Sequence, residues 1–226
     1  MTDRVSNAVL ITGCSTGIGR ATALRLAAAG HPVFATARRT ESIADLASAG
    51  CTVLACDVTD EASMRAAVES VEKRAGAVGA LVNNAGYGSE GPVEEVPMEE
   101  VRRQFETNVF GLARMCQLVL PGMRRQGFGR ILNLSSMGGR MTLPGGGFYH
   151  ATKYAVEALS DALRFEVRGF GVDVVAHFTI ETVEIRFAHA HDVLSRELRI
   201  LAIAPASLSH LVVSTDSCFR PCGVRR

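Results

Sequence analysis

Tyr149 and Lys153 stand four residues apart in Tyr149-His150-Ala151-Thr152-Lys153, at the start of a segment with helical composition. On a helix, positions i and i+4 share a face, so the phenol and the ammonium would point into the same space. A free phenol titrates near ~10 and is a poor acid or base at neutral pH. A cation held beside it favours the phenolate and lowers that value. Tyr149 would then serve as a general acid/base. Ser136 lies upstream, at the end of the apolar run Arg130-Ile131-Leu132-Asn133-Leu134, which reads as a buried strand. A strand end opposite a helix start would bring the Ser136 hydroxyl toward the phenol. Tyr and Lys four apart also occur in many helices that do no chemistry. The pair therefore takes its meaning from the elements that must position it.

The first of these is a strand, a glycine turn and a helix. Residues 8–11, Ala-Val-Leu-Ile, form a short apolar run, followed at once by Thr12-Gly13-Cys14-Ser15-Thr16-Gly17-Ile18-Gly19. Residues 20–29 have helical composition and stop at Gly30. Glycines permit the tight turn and close backbone approach, and the free N–H groups of the new helix face an anion, here a pyrophosphate.

Residues 32–37 read as a second strand, with Arg38-Arg39 directly after it. An NAD site usually carries an acidic residue at this point to bind the ribose 2′-hydroxyl. None occurs between Gly19 and Glu41. Arg38, and Arg39 after it, could instead pair bidentately with a 2′-phosphate, which favours NADP(H), with NAD(H) the alternative. A solvated basic turn is the plainer explanation of the same residues.

Residues 52–56 read as a third strand ending in Asp57-Val58, and 62–75 as a helix entered through Thr59-Asp60-Glu61. Residues 78–82 form a fourth strand closed by Asn83-Asn84-Ala85-Gly86. A long helix is expected from Pro97 through Asn108 to Gln126, with proline and acids in its first turn. Asn in mid-helix is locally unfavourable, which marks Asn108 as a site residue. The strand before Ser135, the Tyr149 helix to about Gly169 and a strand over 172–175 complete the pattern. Strands alternating with helices predict an α/β fold, a doubly wound parallel sheet of the Rossmann type in a single domain. Ligands of such a sheet bind outside the carboxyl ends of its strands, where Thr12, Asp57, Asn83 and Ser136 all fall.

Composition narrows the classes. The chain has 226 residues, 47% hydrophobic, enough to bury one substantial core. A net charge of +1 argues against nucleic acid or an anionic membrane surface as the main partner. No apolar run is long enough to cross a bilayer, and the first residues lack the basic start and long apolar stretch of a secretory signal. The cysteines, Cys14, Cys51, Cys56, Cys116, Cys218 and Cys222, form no C-x-x-C pair. Free thiols and a cytoplasmic location are expected. His177, His189 and His191 with Asp192, and Cys218 with Cys222, do not make a metal-ligand set, so no metal is expected.

Thr12-Gly13-x-x-x-Gly17-x-Gly19, Asp57-Val58, Asn83-Asn84-Ala85-Gly86, Asn108, Ser136 and Tyr149-x-x-x-Lys153 together resemble the short-chain dehydrogenase/reductase family. The resemblance covers residues 1–175. It implies an oxidoreductase exchanging hydride between a nicotinamide cofactor and a small-molecule carbonyl or alcohol. Tyr149 would carry the proton, Ser136 would position the substrate oxygen, and Lys153 would hold the nicotinamide ribose and lower the phenol's pKa. Asn108 would hold a water linking Lys153 to solvent. Thr12, Gly13, Ser15, Thr16, Gly17, Ile18 and Gly19 would meet the cofactor, with Cys14 among them as a small residue. Asp57 and Val58 would face the adenine, and Asn84, Ala85 and Gly86 would line the cofactor site. A homodimer or homotetramer is implied, through Phe110, Leu112, Met115 and Leu118 of one helix and Val156, Leu159, Leu163 and Phe165 of another.

After Val175 the text departs from the family's pattern. No Pro-Gly turn follows, and residues 176–226 show no familiar substrate helix or last strand. This predicts an exposed sheet edge, a mobile segment from about His189, and weak or absent activity. A nucleotide-binding protein without turnover is the competing class. The substrate is left open among steroid, retinoid, lipid-derived and small xenobiotic carbonyls.

Overall fold

A computed structural model describes residues 5–177 together with 184–185 and 198–199. Six strands form one parallel sheet: β1 (Val9–Ile11), β2 (Val33–Ala37), β3 (Thr52–Ala55), β4 (Ala80–Asn83), β5 (Gly129–Leu134) and β6 (Val172–His177). Their order across the sheet is β3-β2-β1-β4-β5-β6. Most are near-continuous apolar runs because both sheet faces are covered. All residues of β1, β2 and β4 are buried. Two further strands, β7 (Glu184–Ile185) and β8 (Leu198–Arg199), pair antiparallel.

The helices divide between the two faces. On one, α2 (Glu61–Ala75), α4 (Leu112–Gln126) and α5 (Gly147–Val167) bury Met64, Val68, Met115, Val119 and Val156 against Leu10, Leu81, Ile131 and Val174. On the other, α1 (Gly17–Ala28) and a 3-10 turn, Thr40–Ala47, bury Ala23, Leu26, Ile43 and Leu46 against Ile11, Ala35 and Val82. Truncating one fully buried Leu or Ile to Ala in such a core typically costs about 2–5 kcal/mol. The chain leaves β1 in one direction to β2 and returns beside it as β4, with Ile11 in register with both Ala35 and Val82. That reversal opens a crevice at the carboxyl ends of β1 and β4.

Three elements differ from what the sequence predicts. The 3-10 turn after β2 was not expected. The long helix from Pro97 is interrupted: α3 (Met98–Phe105) gives way to a π turn, Glu106–Gly111, before α4 resumes. β6 extends to His177, two residues beyond the expected strand. The expectations for the segment from His189 and for residues 186–197 and 200–226 lie outside the described residues.

A polar chain runs through the core below the crevice. Asn83 Nδ2 donates to Asn133 Oδ1 at 2.9 Å, and Asn133 Nδ2 donates to Ser160 Oγ at 2.9 Å. Ser160 Oγ donates to Val156 O at 2.6 Å. All three side chains are buried, so each needs these partners to offset its desolvation. The chain ties β4 and β5 to α5. Cys14, Cys51, Cys56 and Cys116 are buried free thiols. Burial pushes Cys14 and Cys116 up to about 12 and Cys56 up to about 11, which leaves them unreactive. Cys218 and Cys222 lie outside the described residues.

Candidate active site

The glycine turn after β1 adopts backbone angles that only glycine takes easily. Gly13 has φ 72° and Gly17 φ 59°. At Gly19 the limit is space: a Cβ would lie 2.3 Å from Asn84 Nδ2 and 2.6 Å from Gly13 O. Asn84 closes this turn, donating from Nδ2 to Thr12 O at 2.8 Å and to Gly13 O at 2.9 Å. Thr12 Oγ1 in turn accepts the N–H groups of Asn84 and Ala85, each at 3.0 Å. The Asn84 amide therefore braces the turn rather than reaching outward. No side chain caps α1, and its first turn holds no acid. Its leading N–H groups lie behind exposed Ser15, Thr16 and Gly17, with Ile18 half-buried and Gly19 buried. The uncapped N–H groups at the start of α1 and the open space at Gly17, where an added Cβ would meet nothing within 4 Å, fit a pyrophosphate seated against backbone.

Arg38 emerges exposed from the carboxyl end of β2, followed by exposed Arg39. Neither has an ion-pair partner among the described residues, whereas nearby Arg20 is paired with Asp45. Asp57 forms a local turn after β3, its Oδ1 accepting Thr59 N–H at 2.9 Å and the Thr59 hydroxyl at 2.7 Å. Val58 is buried beside the π turn, where a Cβ on Gly111 would lie 2.3 Å from Val58 O. The loop after β3 and the π turn can pack this closely because residue 111 is glycine.

The π turn explains the misfit of Asn108. Single π turns insert one residue into an α-helix and re-aim the side chains around them. Asn108 is 2% exposed. It grips the backbone of Tyr87, accepting Tyr87 N–H at 3.0 Å and donating to Tyr87 O at 2.8 Å. Its Nδ2 also donates to Thr152 Oγ1 at 3.1 Å, and Thr152 Oγ1 donates to Tyr149 O at 2.7 Å. Asn108 thus connects the loop after β4 to the first turn of α5. Tyr87 and Thr152 were not singled out from the sequence. Thr152 sits inside the Tyr-x-x-x-Lys stretch, but its partner Asn108 is distant in the chain and leaves no local signal.

Tyr149 and Lys153 do share a face of α5. Lys153 is buried, its Nζ donating to Leu134 O at 2.7 Å and lying 5.8 Å from the centre of the Tyr149 ring. Burial pushes its ammonium down to about 8, against an upward pull from Glu157. Tyr149 is half-buried, with Gly88 against its ring. Its hydroxyl has no hydrogen bond among the described residues. Ser136 follows β5 by two residues, and its Oγ accepts Gly138 N–H at 3.1 Å. The carboxyl end of β5 therefore carries both the carbonyl that holds Lys153 and the Ser136 hydroxyl. His150 is buried between Gly138 and Gly146, its Nδ1 accepting Leu143 N–H at 3.2 Å. It fastens the loop 137–146 to α5. Gly91 N–H donates to Gly145 O at 2.7 Å, joining this loop to the one after β4. Exposed Val93, Met141 and Leu143 sit on the two joined loops.

Among the described residues no three His, Cys, Asp or Glu side chains converge as metal ligands, and no helix is long and apolar enough to cross a membrane. His189, His191 and Asp192 lie outside the described residues.

Residues 7–182 match the family model for short chain dehydrogenases. The chain is 44% identical over 167 residues to a 3-ketodihydrosphingosine reductase of Bacteroides thetaiotaomicron, covering 74% of this chain and 60% of that one. Thus it spans about three fifths of that relative's length. Among solved structures it superimposes on a gluconate 5-dehydrogenase from Burkholderia cenocepacia in complex with NADP and tartrate, with TM-score 0.72 and 30% identity over 78% of this chain and 72% of that one. It superimposes equally on an NAD+-bound xylitol dehydrogenase, with TM-score 0.71 and 32% identity over 75% and 68%. The solved relatives thus bind NADP in one case and NAD+ in another.

Proposed function

From the premise that the chain belongs to the short-chain dehydrogenase family, we propose that it is an NADP(H)-dependent oxidoreductase acting on a carbonyl/alcohol pair. The observation that carries this reading is Lys153, held by Leu134 O at the end of β5 and sharing a helix face with Tyr149. When bound, the nicotinamide supplies the hydride chemistry. Tyr149 gives its phenolic proton to the carbonyl oxygen in reduction and takes one back in oxidation. The Ser136 hydroxyl orients that oxygen. The Lys153 ammonium lies one turn along α5, its Nζ 5.8 Å from the centre of the Tyr149 ring, where it faces the negative charge that develops on the phenol oxygen as the proton leaves. Asn108 keeps the π turn and the first turn of α5 in register through Thr152. The glycine turn and the uncapped start of α1 hold the pyrophosphate, with Asp57 and Val58 toward the adenine. A cofactor titration followed by a panel of ketones and alcohols tests the reading. The panel should include a long-chain amino ketone, given the substrate in the relative's name and the apolar Val93, Met141 and Leu143 on the loops beside Tyr149. Cofactor binding with turnover of no panel member at any pH would contradict it.

Arg38 carries the preference for NADP(H). Arg38→Asp is expected to weaken NADPH binding by at least about tenfold, the scale of one lost charge-assisted pair, and to leave NADH binding level or improved. Titration of both cofactors against both proteins checks this. A wild-type preference for NADH would refute the assignment.

The oligomeric expectation needs correcting in its residues. Leu112, Met115 and Val156 are buried against the sheet, and Leu118 and Leu163 pack partly against the same core. Helices present different residues on their two sides, and composition alone does not separate them. Phe110, Leu159 and Phe165 remain exposed, at 54%, 41% and 78%, and Tyr154 joins them on α5 at 45%. These outward apolar side chains support a twofold pairing of the π turn and α5 with a second copy. Light scattering at micromolar protein should give a dimer or tetramer for wild type and a smaller species for Phe165→Glu. A monomeric wild type would refute it.

A further inference from the structure

Glu157 is a buried carboxylate that the reaction outlined above does not use. It lies four residues beyond Lys153, on the same face of α5, and both are buried, at 6% and 8% exposure. A buried charge is costly unless it is paired and fully hydrogen-bonded. Glu157 is only half satisfied. Its Oε2 accepts from Arg140 Nη2 at 2.8 Å, while Oε1 has no hydrogen-bond partner among the described residues. The Ser135 hydroxyl beside it is equally unpartnered. Gly139 lets the loop press onto the helix at this point: a Cβ there would lie 2.8 Å from Ser135 Oγ, 3.0 Å from Glu157 Cγ and 3.1 Å from Lys153 O.

We propose that Glu157 is a positioning residue that holds the charge on Lys153, and that Arg140, from the loop between β5 and α5, opposes it, so that the placement of this loop sets the protonation of Lys153. This rests on the reading that Lys153 acts beside Tyr149. Burial discourages the Lys153 ammonium, and Glu157 offsets part of that. Arg140 partly neutralises Glu157 from a half-exposed position. The loop that carries Arg140 also carries the exposed Met137, Met141 and Leu143. Loop movement that draws Arg140 away leaves Glu157 unopposed and strengthens the ammonium. The other titratable groups around Lys153 are Tyr149 on its own helix, His150 under the loop, and His177 at the end of β6, whose carbonyl accepts Ser135 N–H at 2.7 Å. The π turn contributes the neutral Asn108 and the exposed Glu106.

The chain contains two lysines, Lys73 and Lys153. In full-length Lys73→Arg protein grown with lysine carrying ¹³C at Cε, Lys153 gives the single lysine Cε resonance, and its titration needs no turnover. Glu157→Gln should move the Lys153 midpoint down by about half a unit or more, and Arg140→Gln should move it up. The double variant should fall between them. No displacement, or displacement of both variants in one direction, overturns the inference. If Glu157→Gln does not fold, the direction of the Arg140→Gln shift decides alone. The basic limb of the pH–rate profile should move with the resonance. A resonance that moves while the limb stays fixed supports the inference and contradicts the role of Lys153 in turnover.

Discussion

Replacing Tyr149 with phenylalanine is expected to lower turnover by about 10²–10⁴-fold, the contribution of a placed proton donor, while cofactor binding stays nearly unchanged. The ring remains, so Gly88 keeps its contact and Lys153 keeps its face of α5. Only the hydroxyl goes, and it makes no hydrogen bond among the described residues whose loss would disturb the fold. The effect should therefore fall on kcat rather than on the affinity for NADPH, because proton transfer belongs to the transition state. Single-turnover kinetics with and without the hydroxyl, alongside a cofactor titration, check this. A phenylalanine variant within a few fold of wild type would remove Tyr149 from the chemistry.

Lys153→Met should pull activity and stability in opposite directions. Turnover should fall by about 10²-fold or more, since the cation beside the phenol is lost. The fold should become more stable at neutral pH. Lys153 has an ordinary value of 10.5 when unfolded and about 8 when folded, with burial the first cause. Below pH 8 both states hold the proton, and the folded protein bears the full cost of a buried ammonium. Between 8 and 10.5 the unfolded state holds more protons, so this group's contribution to stability rises with pH. Above 10.5 the cost is gone. The conversion is about 3 kcal/mol, reduced to about 2 by the hydrogen bond that Leu134 O loses. Denaturant unfolding at pH 7 should thus favour the methionine variant by about 2 kcal/mol, and the gap should shrink by pH 10. The buried thiols Cys14, Cys56 and Cys116 act the other way above pH 9, but equally in both proteins. A methionine variant less stable than wild type at pH 7 would contradict the account.

The parts of the fold readable in the chain were those with local causes. Gly13, Gly17 and Gly19 announce the turn after β1 because no other residue suits their angles or space. The runs that became β1, β2 and β4 are nearly continuous apolar stretches, broken by Thr36 and Asn83, because both faces of the sheet are covered, which also marks the sheet as parallel. Tyr149 and Lys153 announce their shared face by their spacing. Features with distant causes were harder to read. The π turn at 106–111 adds a single residue to a helix, too small a phase change for apolar periodicity to register. Only Asn108 and Gly111 hint at it. The pairing of Asn83 with Asn133 spans two strands, and that of Arg140 with Glu157 crosses a loop; neither has a sequence signature. The apolar residues from Phe110 to Leu118 and along α5 suit either a partner or the sheet by composition, and the structure divides them: Leu112, Met115 and Val156 face the sheet while Phe110, Leu159 and Phe165 are exposed.

As proposed above, the chain moves hydride between a nicotinamide and a carbonyl carbon while Tyr149 carries the proton. NADPH carrying deuterium at both C4 positions of the nicotinamide is supplied to the protein with the ketone panel, and deuterium is followed by mass spectrometry. The account predicts an alcohol product carrying one deuterium at the former carbonyl carbon with wild type, and almost none with Tyr149→Phe at equal cofactor saturation. Protein saturated with cofactor that labels no product, or Tyr149→Phe protein that labels it as fast as wild type, would contradict it.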